Sequence, residues 1–309
     1  MKRSREWCEA HQVALYLLAI AVGLGIGALL PATAPPLEVA VEPAIAALLL
    51  VTFHGIPLHG IGAALRDGRF LLALLAVNFL VVPVIVPLIT RPLTDSPELL
   101  LGALLVLLAP CIDYVIVFTA LAGGAHERLL AATPLLMLAQ LLALPVLVPL
   151  LSGGEALGMI EPGPFLRAFV LLIALPMLAA ALLQRLAPHL ELSAAMVPLM
   201  VLVLVTVVGS QTPRVLGAGA SLLVLVPVYV AFLVLATAAG LLVGRLARLD
   251  VPAARALTFS GATRNSLVVL PLALAMPSPL VPAAVVAQTL VELVGMVVLV
   301  RVLPKLLSR

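Results

Sequence analysis

Apolar residues run through this chain in long stretches, and the polar residues gather in the short segments between them. The stretches cover 13–30, 39–64, 70–90, 99–122, 129–151, 165–186, 194–208, 221–246, 256–276 and 280–303. A helix needs about 20 apolar residues to cross the hydrocarbon core of a bilayer, so the pattern predicts an all-α polytopic membrane protein with ten transmembrane helices. A polar loop rich in glycine and acid, 152–164, separates a first five-helix repeat, 13–151, from a second, 165–303, and short tails, 1–12 and 304–309, flank them. Five is an odd number, so the second half enters the membrane from the opposite side and the two halves form an inverted repeat.

Two of the runs are cut in their interiors. The fourth is interrupted at Pro110, Cys111 and Asp113, and the ninth at Thr263, Arg264, Asn265 and Ser266. Asp113 and Arg264 fall 100 and 99 residues from the starts of their halves, so the breaks coincide. Hydrocarbon cannot solvate free backbone groups, and a broken helix at mid-membrane depth survives only where it lines a protein cavity. Paired broken helices at matching positions point to a transporter's binding site. A second pair is expected where His54, Gly55, Ile56 and Pro57 in the second run answer Gly209 to Pro213 after the seventh.

Composition agrees with this picture. Hydrophobic residues make up 64% of the chain and charged residues 10%, with a mean hydropathy of +1.29, which leaves too little polar surface to cover a soluble globule. The lipid bilayer is therefore a partner. The pI near 9.2 does not indicate nucleic acid, because the basic residues sit in short loops and not on one face. With the N-terminus in the cytoplasm, 13 of the 17 Lys and Arg fall on the cytoplasmic side, Arg91, Arg167 and Arg214 on the other, and Arg264 inside the membrane. That bias predicts both termini in the cytoplasm. Lys2, Arg3 and Arg5 ahead of the first run, with Ala32-Thr33-Ala34 after it, also resemble a signal peptide. The length of the run and Pro35-Pro36 favour its retention as a span.

Ionisable residues inside a membrane are costly and normally face a cavity and a partner. Asp113 and Arg264 are candidate partners. They read either as a carboxylate capping a half-helix N-terminus balanced by a structural arginine, or as groups handling substrate or protons. His54 and His59 lie about 140° apart around a helix, too far to share a face as a metal pair. Each is a hydrogen-bonded core histidine or, for His54, part of a proton relay. Glu292, beside Gln288 and Thr289, either bonds within the bundle or titrates as a coupling carboxylate. Asn78 and Gln140 read as inter-helix hydrogen-bonding residues. Cys111 is either a small buried residue or a soft contact for a metalloid, and no metal site or cofactor is implied. No nucleophile elbow, His-Glu-x-x-His or paired-aspartate signature suggests an enzyme.

Pro110-Cys111-Ile112-Asp113-Tyr114, Thr119 to Gly124, Thr263-Arg264-Asn265-Ser266 and Gln288 to Glu292 together resemble the bacterial arsenic-resistance branch of the bile acid:sodium symporter superfamily. The resemblance runs from Val13 to Lys305. It implies a panel domain (spans one, two, six and seven) and a core domain (the other six), in which broken helices four and nine cross. It also implies secondary transport by alternating access, with arsenite or antimonite export as the leading activity and organic-anion symport as the alternative. Cys111 matches a functional cysteine of the arsenite permeases, and Thr119, Thr263, Asn265 and Ser266 are candidate hydrogen-bond partners for the substrate. In the bile-acid branch an acid and an amide bind sodium where this chain has Ser260 and Arg264. A fixed guanidinium there counts against sodium and directs attention to proton coupling, with His54, Asp113 and Glu292 as candidates.

Overall fold

Backbone groups that cannot reach water must bond to one another, and along an apolar chain the local solution is the helix. The computed structural model describes residues 11–55, 67–112, 114–158, 170–187, 190, 192–218 and 222–307, and among them the regular structure is helical. In chain order the α-helices are α1 (Gln12–Leu29), α2 (Ala34–Gly55), α3 (Gly68–Ile89), α4 (Pro97–Leu107), α5 (Tyr114–Leu121), α6 (His126–Gly158), α7 (Leu175–Leu186), α8 (Met196–Ala218), α9 (Leu225–Leu246), α10 (Val251–Ala262), α11 (Ser266–Leu274) and α12 (Leu280–Leu306). Among the described residues, six stretches are long and apolar enough to cross a membrane, and α4, α7 and most of α1 are shorter apolar helices. Leu72, Leu80, Val84 and Leu88 of α3, like Leu142, Val146 and Leu150 of α6, are exposed. Outward-facing apolar stripes of this size belong in lipid. The protein is a multi-pass membrane protein.

The chain divides into two compact units. The first holds 1–55, 161–219 and 274–283, and thus α1, α2, α7 and α8; the second holds 56–160, 220–273 and 284–309. Within the first, α8 packs against α1 and α2, and α2 against α7. Small residues let two of these backbones approach closely. A Cβ placed on Gly27 of α1 would lie 2.5 Å from Thr212 Cβ and 2.6 Å from the Gly209 carbonyl oxygen, and one on Gly23 would lie 2.9 Å from Val208 Cβ. Gly23 and Gly27 are four apart, the small-xxx-small spacing by which helices associate where no hydrophobic driving force separates protein from solvent.

Several expectations are corrected here. The stretch from Gly209 to Pro213 is not a break, because α8 runs through it. Its polar groups are satisfied locally: Ser210 Oγ donates to the Val207 carbonyl (3.0 Å) and Thr212 Oγ1 to that of Val208 (2.7 Å), so the helix need not open. The matching stretch after Gly55, with His59, lies outside the described residues. The loop expected at 152–164 is helical up to Gly158, with the chain redirected at Gly153, whose φ of 72° suits glycine. The tail expected from 304 is helical to Leu306, since Pro304 falls in the last turn of α12.

In the second unit, α3 contains a π-helical turn, Val77–Val81, in which the Val82 N–H reaches back to the Val77 carbonyl. The ring of Pro83 would crowd the carbonyl four residues before it and supplies no N–H, and widening the turn relieves both conflicts. The π turn carries Asn78, whose amide donates to the Leu74 carbonyl (3.0 Å).

Replacing Gly27 by Val should lower the thermal midpoint of the detergent-purified protein, with a cost in the overpacking range of about 1–3 kcal/mol. Gly25→Ala, at a position with nothing within 4 Å of the added carbon, should leave the midpoint in place. Equal effects at both positions would refute the close α1–α8 packing.

Candidate functional site

Everything that meets at the two breaks lies in the second unit. The first break begins where Pro110 removes a helical donor and restricts Ala109. Helix α4 closes with Leu108 N–H on the Leu104 carbonyl and Ala109 N–H on that of Val106. The second break has no proline. There α10 ends at Ala262, Thr263 is extended (φ −103°, ψ 135°), and Asn265 Oδ1 caps α11 by accepting from the Val268 N–H (3.1 Å).

The two extended pieces pair with each other. Pro110 and Arg264 form an antiparallel bridge, in which Cys111 N–H donates to the Thr263 carbonyl (3.2 Å) and Asn265 N–H to that of Ala109 (2.8 Å). The broken backbone, buried among apolar helices, thus satisfies part of its demand with a single rung of sheet. The surroundings are protein: every residue of α4 from Leu99 to Leu107 is buried, as is every residue of α10 from Ala256 to Ala262.

Arg264 is fully buried at this rung. Its guanidinium donates to the carbonyls of Ser260 (2.7 Å) and Gly261 (2.6 Å) in the last turn of α10, to that of Leu107 (3.3 Å) at the end of α4, and to Asn78 Oδ1 (2.9 Å) on α3. Its carbon Cζ lies 5.2 Å from the ring centroid of Phe232 on α9, within cation–π range. The C-terminal ends of α4 and α10 carry partial negative charge and carbonyls without helical donors, which a cation satisfies. Placing arginine at the centre of a membrane helix costs about 2.5–3.5 kcal/mol on insertion scales. Hydrogen bonds to charged groups contribute about 1.5–3 kcal/mol each, so four acceptors offset the cost. Asn78 also donates to Ser260 Oγ (3.0 Å), tying α3 to α10.

A second cluster sits on the backbone of the same residue. Glu292 of α12, fully buried, accepts from the Arg264 N–H (2.7 Å) and Gln288 Nε2 (2.6 Å) on Oε2, and from the Tyr114 hydroxyl (2.6 Å) on Oε1. The Tyr114 oxygen also lies 3.1 Å from the Arg264 carbonyl. Glu292 thus meets Arg264 through its peptide N–H, while the guanidinium is taken up by carbonyls and Asn78.

The structure brings Cys111, Thr263, Arg264 and Asn265 together through the backbone rung, with Ser266 opening α11. Asp113 lies outside the described residues. Thr263 Oγ1 donates to the Phe259 carbonyl (2.6 Å). Among the described residues of this region, Thr119 Oγ1, Arg264 Nε, Asn265 Nδ2, Ser266 Oγ and Gln288 Oε1 are buried without a hydrogen-bond partner, which leaves them capacity to spare for a ligand. His54 belongs to the first unit, where its carbonyl accepts from Gln184 Nε2 (2.8 Å). Sequence reasoning missed Tyr114, Gln288 and Phe232 as parts of the site. Only Gln288 left a usable signal, its spacing of four from Glu292 on one helix face.

The profile of the sodium bile acid symporter family matches residues 42–212, more than half of the chain and including the first break. The chain belongs to this family. Comparison with individually curated proteins gives no match. Members of the sodium bile acid symporter family are membrane transporters.

Arg264→Met should cost about 3–5 kcal/mol, because it leaves three carbonyls and Asn78 buried without their donor. Asn78→Ala should cost about 1–3 kcal/mol. Folded yield and thermal midpoint of the purified variants check the ranking, and an Asn78 variant more damaging than the Arg264 one would overturn it.

Proposed function

We propose that this protein is a secondary transporter that exports arsenite or antimonite across the cell membrane by alternating access. In this reading its ten spans form two inverted five-helix repeats and both termini are cytoplasmic. The observation that supports an uncharged substrate is the engagement of Arg264. Its guanidinium keeps its charge, but both Nη atoms are already bonded to carbonyls and Asn78, which among the described residues leaves only Nε without a partner to offer an anion. Arsenous acid is neutral at physiological pH and carries hydroxyl groups. The breaks supply what such a solute needs: the buried thiol of Cys111 and the spare groups of Asn265 and Ser266, with that of Thr119 further along α5. Soft sulfur favours a metalloid, and a single thiol holds it loosely enough for release.

The engaged guanidinium also supports independence from sodium. It places a permanent cation among oxygen ligands at the helix ends, and a second cation there would meet its repulsion. Proton coupling is the corresponding proposal. The alternative substrate, an organic anion, has one observation in its favour. Helix α11 begins with Asn265 Nδ2 and Ser266 Oγ unsatisfied among the described residues, beside N–H groups that suit a carboxylate or sulfonate.

In a metalloid-sensitive bacterial host, expression of the protein should lower arsenite accumulation, and Cys111→Ser should return accumulation toward that of cells without it. Unchanged resistance in the variant would refute the thiol's role. Replacing sodium by choline should leave the flux in proteoliposomes unaltered, and dependence on a sodium gradient would refute the sodium-free reading.

A further inference from the structure

A tyrosine hydroxyl has one proton to donate, and Tyr114 has two acceptors. Its oxygen lies 2.6 Å from Glu292 Oε1 and 3.1 Å from the Arg264 carbonyl oxygen. As arranged here, the other two partners of the carboxylate, the Arg264 N–H and Gln288 Nε2, both donate to Oε2. With Glu292 ionised, all three groups donate to it, and the Arg264 carbonyl receives no proton from Tyr114. With a proton on Oε1, the carboxyl becomes the donor to the Tyr114 oxygen. Tyr114 can then turn its own proton to the Arg264 carbonyl, an acceptor already 3.1 Å from its oxygen. One proton added to Glu292 therefore exchanges a bond on the carboxylate for a bond on the backbone of the second break.

We infer that Glu292 and Tyr114 form a proton-operated switch that makes or releases a hydrogen bond to the Arg264 peptide at the crossing of the two breaks. The charge balance works in the same direction. Ionised Glu292 offsets the guanidinium of the residue whose N–H it accepts, and the protonated form leaves that positive charge uncompensated inside the bundle. Among the described residues, the charged or titratable groups around Glu292 are Tyr114 from α5 and Arg264 from the second break, with Cys111 of the first break beyond Arg264. Its own helix contributes the neutral Gln288. The proton comes from solvent and returns to it, so the step needs no other reactant. The switch rests on the proposed transport only where the proton drives flux; the titration itself does not depend on the substrate.

Infrared difference spectroscopy on the purified full chain, titrated over about pH 4 to 9 where buried carboxyls titrate, tests the switch without any substrate. A protonated-carboxyl band should grow as pH falls and should be lost in Glu292→Gln. In Tyr114→Phe, which removes a donor to the ionised form, its midpoint should move to higher pH. Should Glu292→Gln fail to fold, the Tyr114→Phe shift carries the test. A band unchanged in Glu292→Gln, or a midpoint unmoved in Tyr114→Phe, would overturn the inference. Arsenite flux in proteoliposomes separates it from the transport reading. The switch predicts that an imposed proton gradient stimulates the wild type and not Glu292→Gln. If the band behaves as expected but no arsenite moves, the choice of substrate fails and the switch stands.

Discussion

Two helices that stop inside an apolar bundle leave carbonyl oxygens at each end with no helical donors, and one guanidinium reaches both ends. Arg264 reaches the last turn of α10 and the end of α4 at once, with Asn78 and the face of Phe232 closing the remaining sides. Without that cation, the breaks would expose partial negative charge to a low-dielectric interior. With it, the helices can end there and leave their backbones free to form the rung between Ala109 and Asn265 and between Thr263 and Cys111. The same arrangement is used once more, nearer the end of the bundle. Arg255 donates to the carbonyls of Ala122 and Gly123 after α5 and to those of Pro304 and Leu307 at the end of α12. Gly123, at φ 65°, is the left-handed residue that turns the α5 carbonyls toward that donor.

Much of this was legible in the sequence, for a physical reason. Polar residues inside apolar runs are expensive, so Pro110 and the stretch from Thr263 to Ser266 marked their own positions. The pairing of Arg264 was not legible. A sequence shows which charges exist but not which way a side chain leaves a bent backbone, and the carbonyls that Arg264 meets have no sequence signature. Asn78 read as inter-helix glue, which its bonds to Ser260 and Arg264 are. The expected break after the seventh run failed because hydroxyl side chains can return their hydrogen bonds to their own helix. Composition records polarity, whereas only geometry records whether polarity is already satisfied.

The two units are held together internally by different means. In the first, the contact between α1 and α8 relies on missing side chains, with glycine against the Gly209 carbonyl and the Thr212 methyl group. In the second, hydrogen bonds join α3, α4, α5, α10 and α12 around the breaks. The first kind of contact depends on shape, and the second on which groups carry protons and charge.

The π turn in α3 holds one residue more than an α-helical path would need between Val77 and Val82. Removing a single residue there would let the chain close as an ordinary α-helix with its two halves still in phase. What the extra residue changes is local, since Asn78 stands in the widened turn and not where a regular turn would put it. An irregularity that looks like a defect in the helix is therefore a means of adjusting one amide against Ser260 and Arg264 while the rest of the rod keeps its heading.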